Sequence, residues 1–258
     1  MLRVENLSKR FGGVQAIQDC TLQVKEGTIT GLIGPNGAGK TTLFNVITGF
    51  NKPNAGRVFF KEEEITGLQT FQIFRRGLFR TFQITREYKE MTVLENLLLI
   101  PRDQIGERLW SAWIRNRSMR AQEKKNIENA MEILRFLEMD SKKDMPAKYL
   151  PGGEKKLLEL GRMMMVDLDM VLLDEPGSGV PPFLQNKVMD YIRKLSHERG
   201  LTFFLIEHDM NVIMNLCNPI IVMSDGTKLT EGTPKEIRSD QRVIQAYLGE
   251  PDTQEFEK

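Results

Sequence analysis

The sequence is poor in several features that define whole classes of protein. Its 258 residues include only two cysteines and two histidines, and the formal net charge is +1. Cys20 and Cys217 lie far apart without C-x-x-C spacing, which excludes a disulfide scaffold or a zinc ribbon and suits a reducing compartment. Because the charge is nearly balanced, no global field attracts nucleic acid or an anionic membrane, and we expect no nucleic-acid partner.

Long apolar runs and internal repeats are also lacking. Residues 97–100 and 203–206 are among the longest apolar runs, far below the roughly 18 residues that a membrane span needs. Residues 1–5 contain no signal-peptide core. We therefore expect one compact protein, either cytosolic or peripheral to a membrane.

What the sequence does contain is a glycine-rich motif at residues 34–41, which fits G-x-x-x-x-G-K-[ST]. An apolar run precedes it and a helix-like stretch begins at Lys40, so we interpret it as a phosphate-binding loop. Its glycines allow φ > 0, which turns N–H groups inward at a helix N-terminus. Lys40 would contact the β and γ phosphates and the Thr41 hydroxyl would bind Mg²⁺. The alternative is an ordinary glycine-rich turn with an exposed lysine.

The first part of the chain and its middle differ in hydrophobic spacing. Residues 2–10 and 14–24 alternate apolar and polar side chains around Gly12 and Gly13, which predicts two antiparallel strands. From residue 92 to about 165 the spacing is mostly helical. The middle of the chain is therefore predicted to be an inserted helical subdomain.

The strand and helix alternation returns after this insertion. Residues 170–173 and 202–206 are uninterrupted apolar runs, which are typical of parallel strands buried on both faces. Residues 183–195 predict the amphipathic helix that connects them. The whole pattern indicates one α/β domain with a helical insertion.

Residues 102–125, within the insertion, combine seven basic and three acidic residues with Trp110 and Trp113. Basic residues with tryptophan are found at membrane interfaces. A long amphipathic loop or helix packed on its own subdomain explains the same composition. We favour the second interpretation, and the role of the stretch stays open.

Polar side chains follow two of the predicted parallel strands directly. Asp174 and Glu175 come after the strand at 170–173, and His208 comes just after the strand at 202–206. Ligands bind at the carboxyl edge of open α/β sheets. Asp174 could hold Mg²⁺, Glu175 could polarise an attacking water, and His208 could reach a γ-phosphate. Two solvated acids and a structural histidine are the alternative.

Three further positions are candidates for binding. Phe11 lies at a turn before the loop, where it either packs locally or stacks on adenine. Gln83 ends a predicted strand and opens the helical insertion, where its amide could bind Mg²⁺ or water. Residues 150–154 open a helix with Gly152 and Gly153, a second anion site. One triphosphate does not need two such sites, so we expect this one to serve a second subunit in a dimer.

With these motifs in this order, the chain resembles the nucleotide-binding subunit of an ABC transporter, and the resemblance covers nearly all of it. The matching positions are the adenine-stacking aromatic Phe11, the Walker A residues Gly34, Pro35, Asn36, Gly37, Ala38, Gly39, Lys40, Thr41 and Thr42, the Q-loop Gln83, the signature residues Leu150, Pro151, Gly152, Gly153 and Glu154, Walker B at 170–174, the catalytic Glu175 and the switch His208. Further segments resemble the branched-chain amino acid importer subgroup: 47–50 (ITGF), 80–83 (RTFQ), 90–97 (EMTVLENL), 206–210 (IEHDM) and 246–250 (AYLGE).

The resemblance implies a P-loop NTPase fold with a RecA-like parallel core and an antiparallel β subdomain. The core would be 1–83 and 166–235, the helical subdomain 84–165, and the C-terminal helix and tail 236–258. ATP and Mg²⁺ would be the cofactors, with Thr41, Gln83 and Asp174 on the metal.

The resemblance also implies partners. A second ABC ATPase subunit, identical or a sister, would close around two ATP molecules, with residues 151–154 acting in trans. Two transmembrane permease subunits would dock near the Q-loop and the helical subdomain, and an external solute-binding protein would act indirectly. The chain would be a peripheral protein on the cytoplasmic face of the membrane.

Two positions depart from the family pattern. Pro151 replaces the usual signature serine, so a hydroxyl and a backbone N–H are missing there, and Pro181 replaces a common Asp or Asn. Two other functions stay open, of which only the first is motivated by these prolines. One is a regulatory, weakly hydrolysing subunit; the other is a soluble ABC ATPase without a permease, which usually has a second cassette or a coiled coil that this chain lacks. No residue here identifies the transported solute.

Overall fold

The computed structural model describes residues 1–81, 87–101, 117–178 and 180–248. The chain forms two compact units. The first comprises Met1–Gln83, Asp169–Ser178 and Met189–Lys258, and the second comprises Ile84–Leu168 and Gly179–Val188. All strands that the structure describes belong to the first unit, and the second is helical.

The first sheet of the first unit is antiparallel. Its strands, in the order β2-β1-β4-β5, are β1 Leu2–Phe11, β2 Val14–Val24, β4 Ala55–Phe60 and β5 Glu63–Glu64. Leu2 pairs with Val24 at one end and Phe11 with Val14 at the other, which confirms the antiparallel pair predicted from the alternating pattern.

The second sheet is parallel except at one edge. Its order is β10-β9-β3-β8-β7-β6, and its strands are β3 Ile29–Ile33, β6 Leu78–Arg80, β7 Met170–Asp174, β8 Thr202–Ile206, β9 Ile220–Ser224 and β10 Thr227–Gly232. Every residue of β3, β7 and β8 is buried, as the apolar runs predict for strands covered on both faces. Only β10 runs antiparallel to its neighbour.

The register brings three strand ends to one edge. Asp174 pairs with Ile206 across β7 and β8, and Leu32 pairs with Ile206 across β3 and β8. The glycine-rich loop, Glu175 and Glu207 each begin within two residues of these pairs. The glycine-rich loop, Asp174, Glu175 and His208 therefore lie at the same carboxyl edge of the sheet.

The helices begin and end where local chemistry dictates. They are α1 Lys40–Ile47, α2 Thr70–Arg75, α3 Val93–Leu98, α4 Arg117–Phe136, α5 Gly152–Met164, α6 Pro182–Arg199, α7 Met210–Leu216, α8 Pro234–Ser239 and α9 Gln241–Leu248. Thr92 and Thr233 begin α3 and α8 with reciprocal capping boxes to Glu95 and Glu236. No described helix is both long enough and apolar enough to cross a membrane.

One helix is longer than its apolar pattern predicts. The spacing predicts a helix at 183–195, whereas α6 continues to Arg199. The last turn is polar, so its sequence shows no apolar spacing, although its residues are compatible with a helix. The helix ends before Gly200, whose φ is 67°. The first predicted strand likewise extends by one residue, to Phe11.

The second unit packs α3, α4 and α5 together, as the helical spacing from residue 92 predicts. A Cβ at Gly161 of α5 would lie 2.9 Å from Leu137 and within 3.3 Å of Leu97 and Ile133, so glycine allows this close packing. Helix α4 begins inside the basic 102–125 stretch, and Trp110 and Trp113 lie outside the described residues.

Candidate functional site

The loop between β3 and α1 requires glycine at several positions. The φ angles of Gly34, Gly37 and Gly39 are 150°, 78° and 95°. A Cβ at Gly34 would lie 2.1 Å from the carbonyl oxygen of Met223, and one at Gly39 would lie 2.4 Å from that of Ala16. Glycine is therefore required both by backbone angle and by space, and the loop ends directly at the N-terminus of α1.

The side chains of the loop divide into buried anchors and accessible groups. Ala38 is buried and Pro35 is half-buried, whereas Asn36 and Thr41 are exposed and Thr42 is partly exposed. Thr41 is thus an accessible residue with a hydroxyl group in the first turn of α1.

Lys40 is buried, with 7% exposure, although it carries a charge. Its ammonium group donates to the carbonyl oxygens of Gly34 and Pro35, the latter at 2.9 Å. The positive charge is therefore held over the loop itself, where a bound phosphate would meet it.

The first carboxylate of the edge, Asp174, is 5% exposed. Its Oδ2 accepts a hydrogen bond of 2.7 Å from Arg80, and the same guanidinium donates to the Oδ1 of Asn45 in α1 at 2.6 Å. Arg80 has no assigned role in the sequence prediction, where it enters only within the 80–83 subgroup match. The sequence feature that points to Arg80 is a basic residue at the end of a predicted strand, at the same edge of the sheet.

The second carboxylate, Glu175, faces a histidine. Its Oε1 lies 2.9 Å from Nε2 of His208, and its side chain is 18% exposed against 51% for His208. The Glu175 N–H donates to the carbonyl oxygen of Ile206 at 2.9 Å, and its φ is 51°, a left-handed value. The structure therefore brings these two predicted residues together at the carboxyl edge of the sheet.

Glu207 is a buried carboxylate, 5% exposed, that has no role in the sequence prediction. It accepts a hydrogen bond of 2.6 Å from the N–H of Gly177. Burial raises the pKa of Glu207, and the Gly177 hydrogen bond opposes that rise. Glu207 therefore fixes the backbone that follows Glu175 to the strand that precedes His208.

The predicted adenine-stacking residue, Phe11, lies at the end of β1 and is 45% exposed. The ammonium of Lys9 lies 4.7 Å from its ring centroid. Phe11 is therefore partly exposed, which agrees both with local packing and with stacking on a base.

The glycine pair at 152–153 belongs to the second unit. Pro151, with φ of −57°, precedes the first residue of α5, and Glu154 in the first turn accepts hydrogen bonds from Lys142. A Cβ at Gly153 would lie 2.9 Å from the Cβ of Leu184 and 3.1 Å from Val180. Gly153 is therefore needed for packing as well as for any anion binding.

Pro181 and Gln83 are the remaining positions that the sequence analysis singled out. The carbonyl oxygen of Pro181 accepts from the N–H groups of Leu184 and Gln185, both at 2.9 Å, so this proline starts α6. Gln83, predicted on the metal and in catalysis, lies outside the described residues.

The oxygen groups of the first unit are of the ligand type that Mg²⁺ binds. No group of three or more His, Cys, Asp and Glu within the described ranges could hold a metal ion by itself. Mg²⁺ is commonly bound through one or two protein oxygens plus substrate phosphates. Thr41 and Asp174 are suited to such a shared site.

A glycine-rich loop at a helix N-terminus, with carboxylates at the end of a neighbouring parallel strand, defines a nucleotide-binding P-loop protein. Residues 17–178 match the family described as ABC transporter, and residues 227–253 match the family described as branched-chain amino acid ATP-binding cassette transporter. The chain belongs to the ABC transporter family, as one of its ATP-hydrolysing ATP-binding cassettes.

Individual relatives agree over almost the full length. The chain is 38% identical over 258 residues to the probable branched-chain amino acid transport ATP-binding protein LivG of Archaeoglobus fulgidus, covering 98% of this chain and 97% of the relative. It is 38% identical over 250 residues to the high-affinity LivG of Escherichia coli K12, covering 97% and 98%. A crystal structure of the ADP conformation of an ABC transporter cassette superposes with a TM-score of 0.82 at 37% identity, covering 97% and 99%.

Proposed function

We propose that the chain hydrolyses ATP with Mg²⁺ at the edge formed by β3, β7 and β8, and that this powers import of branched-chain amino acids. The N–H groups of the loop and Lys40 bind the phosphates. Thr41 and Asp174 hold the metal, together with Gln83. Mg²⁺, when bound, neutralises charge between the phosphates.

The observation that carries the hydrolytic role is the 2.9 Å contact between Glu175 and His208. Glu175 orients and polarises the attacking water and accepts its proton as the water oxygen bonds to the γ-phosphorus, while the bond from that phosphorus to the bridging oxygen breaks and ADP leaves. His208 holds Glu175 in place and reaches the γ-phosphate. Phe11 stacks on adenine with its exposed face.

The glycine pair of α5 supports a dimer. Its N–H groups form an anion site on the second unit, at the N-terminus of a 13-residue helix. We propose that Gly152 and Gly153 bind the nucleotide of a second cassette, with Pro151 and Glu154 beside it. Closure on ATP and reopening after hydrolysis is the movement that drives the permease.

An apolar groove in the first unit is suited to the permease. It has a volume of about 480 Å³ and is lined by Thr48, Phe50, Thr70, Phe71, Ile73, Phe74, Leu78, Phe79 and Arg80. Phe50 and Phe71 are 48% and 53% exposed. The Arg75 guanidinium lies 5.8 Å from the Phe71 ring, so a docking segment with apolar side chains and an acidic residue is complementary.

The solute is inferred from the relatives, because the cassette itself does not contact it. LivG of E. coli is a high-affinity branched-chain amino acid transport protein by name. We propose the same solute class here, selected by two permease subunits and an external binding protein. Uptake of labelled leucine but not glutamate by vesicles that contain the complex is the expected result; the reverse preference would contradict it.

The experiment that tests the partners is purification of the tagged chain from the membranes of cells that co-express it with two candidate hydrophobic permease subunits. The parent should purify from membranes with both subunits identified by mass spectrometry. Phe71→Ala should lose them by about tenfold or more if it is a central contact, while retaining ATP binding. Val14→Ala, which truncates another exposed apolar residue, is the control. A parent that purifies alone, or a Phe71→Ala that retains its partners, contradicts this assignment.

Pro151 favours one other candidate function, a regulatory subunit with weak hydrolysis. This residue begins the signature helix without an N–H or a hydroxyl. If the purified complex binds ATP but hydrolyses it no faster than its Glu175→Gln variant, the regulatory function replaces the hydrolytic one.

A further inference from the structure

Arg80 joins three elements around the phosphate site of the first unit. It ends β6, it bonds Asp174 at the end of β7 at 2.7 Å, and it bonds Asn45 in α1 at 2.6 Å. The guanidinium carbon also lies 5.7 Å from the ring centroid of Phe44. One side chain thus links the strand before residues 82–83 to Walker B and to the phosphate-loop helix.

The burial of this contact makes it a geometric constraint. The side chains of Arg80 and Asp174 are only 5% and 7% exposed. Water has little access to these buried groups and cannot replace a lost hydrogen bond. A rotamer change of one side chain alone would therefore leave a buried charge without its partner, which costs free energy. Guanidinium geometry directs two N–H groups to two different acceptors, which lysine cannot reproduce.

We propose that Arg80 is a positioning residue, which holds the Asp174 carboxylate in the orientation that Mg²⁺ requires. Because Oδ2 of Asp174 accepts the Arg80 hydrogen bond, the guanidinium fixes the rotamer of the carboxylate and with it the position of both oxygens. Asn45 fixes the guanidinium in turn. This inference rests on the proposed Mg²⁺ role of Asp174. Groups that orient metal ligands typically contribute a factor of about 10 to 100 to metal affinity.

The test measures how strongly Mg²⁺ tightens nucleotide binding. We define the magnesium factor as the dissociation constant of a non-hydrolysable ATP analogue in EDTA divided by that in Mg²⁺, both from calorimetry. Linkage makes this factor, at saturating Mg²⁺, equal to the dissociation constant of Mg²⁺ from the free nucleotide divided by its dissociation constant from the protein–nucleotide complex. Metal binding by the free nucleotide is the same for parent and variant, so it drops out when their two factors are compared.

Arg80→Lys keeps the charge and loses the two-pronged geometry. Its magnesium factor should fall by about 10- to 100-fold, whereas its affinity in EDTA should change by less than about threefold. Arg76→Lys is the matched control, because Arg76 is a surface arginine paired with the exposed Glu63. Its magnesium factor should equal that of the parent.

Asn45→Ala provides a second variant that leaves the Arg80 to Asp174 bond intact, in case Arg80→Lys does not fold. Its magnesium factor should fall in the same direction by a smaller amount. An unchanged factor in folded variants, or equal losses of affinity in Mg²⁺ and in EDTA, overturns the proposal. A parent whose binding is indifferent to Mg²⁺ overturns the metal role of Asp174 and this inference together.

Discussion

Nε2 of His208 and Oε1 of Glu175 are 2.9 Å apart although 33 positions separate the two residues in the chain. The register between β7 and β8 creates this contact, because Asp174 pairs with Ile206 and each functional side chain follows within two residues. The Glu175 N–H to Ile206 carbonyl bond continues the pairing one step beyond the strand. The sheet therefore positions the pair, one and two residues beyond the ends of its strands.

Glu175→Gln should bind ATP as the parent does while hydrolysing it about 10²-fold or more slowly. The amide keeps the shape of the side chain but cannot accept the proton of the attacking water. Phosphate release under single-turnover conditions measures the effect, and the variant should accumulate as a closed dimer. Glu26→Gln, at an exposed site, is the control. Hydrolysis at the parent rate would remove Glu175 from the mechanism.

Phe11→Ala should weaken ATP binding by about 1 to 3 kcal/mol, the range for stacking of an aromatic ring on a base. Discrimination between ATP and ADP should stay the same, since the phosphates do not contact the ring. Calorimetry measures both. Phe71→Ala truncates a phenylalanine of similar exposure in the groove and should leave ATP affinity unchanged. If Phe11→Ala unfolds, or binds ATP as tightly as the parent, Phe11 is a packing residue.

Glu207→Gln should become more stable relative to the parent as pH rises. The folded pKa of Glu207 lies above its ordinary value of 4.5 because burial disfavours the charged form. The folded protein therefore binds the proton more tightly than the unfolded chain, and that stability is lost as pH rises from about 4.5 through the folded pKa.

Glutamine avoids this loss while its carbonyl oxygen still accepts the Gly177 N–H. The gain should be about 1.4 kcal/mol for each unit by which the pKa is raised. Thermal melting of parent and variant between pH 5 and about pH 8 compares them. A difference in melting temperature that is constant with pH would mean that Glu207 carries no such penalty.

Pro151→Ser should strengthen ATP-driven dimerisation. Serine restores a hydroxyl and an N–H at the start of α5, and a hydrogen bond to a charged group contributes about 1.5 to 3 kcal/mol, or tenfold and more in the dimer constant. The backbone at Pro151, with φ of −57°, is open to serine. The measurement is sedimentation in the Glu175→Gln background with ATP.

The opposing possibility is that Pro151 stabilises the start of the helix by its fixed φ. In that case serine would loosen the helix start and give no gain in ATP-dependent dimer. Melting of the two proteins without ATP separates a destabilised helix from a missing donor.

Much of the core was predictable because its signals are local. The phosphate loop is a contiguous motif, and buried parallel strands are contiguous apolar runs at 170–173 and 202–206. The position of Asp174, Glu175 and His208 follows from these runs, since parallel strands end at the same edge. The contact between Glu175 and His208 required only the register in addition.

The hydrogen-bond partners of Arg80 and Glu207 could not be predicted in the same way, although the place of Arg80 at the end of a strand is a signal in the sequence. Arg80 bonds Asn45 and Asp174, and Glu207 bonds Gly177; all three partners lie at least 30 positions away and outside the motif of the residue that they contact. The types of Arg80 and Glu207 alone suggest solvated surface residues, since Arg and Glu are rarely buried. The extension of α6 to Arg199 had a similar cause, because its last turn is polar.

The φ of 51° at Glu175 has a consequence for how this chain can change. A side chain in that conformation costs the folded state about 1 kcal/mol or more, a cost that glycine does not carry. Glycine at this position would therefore give a more heat-resistant protein without the proposed catalytic carboxylate. Selection for thermal resistance alone should favour that exchange, whereas growth that depends on uptake should oppose it. At residue 175, the amino acid that favours thermal stability is therefore different from the one that the proposed ATP hydrolysis requires.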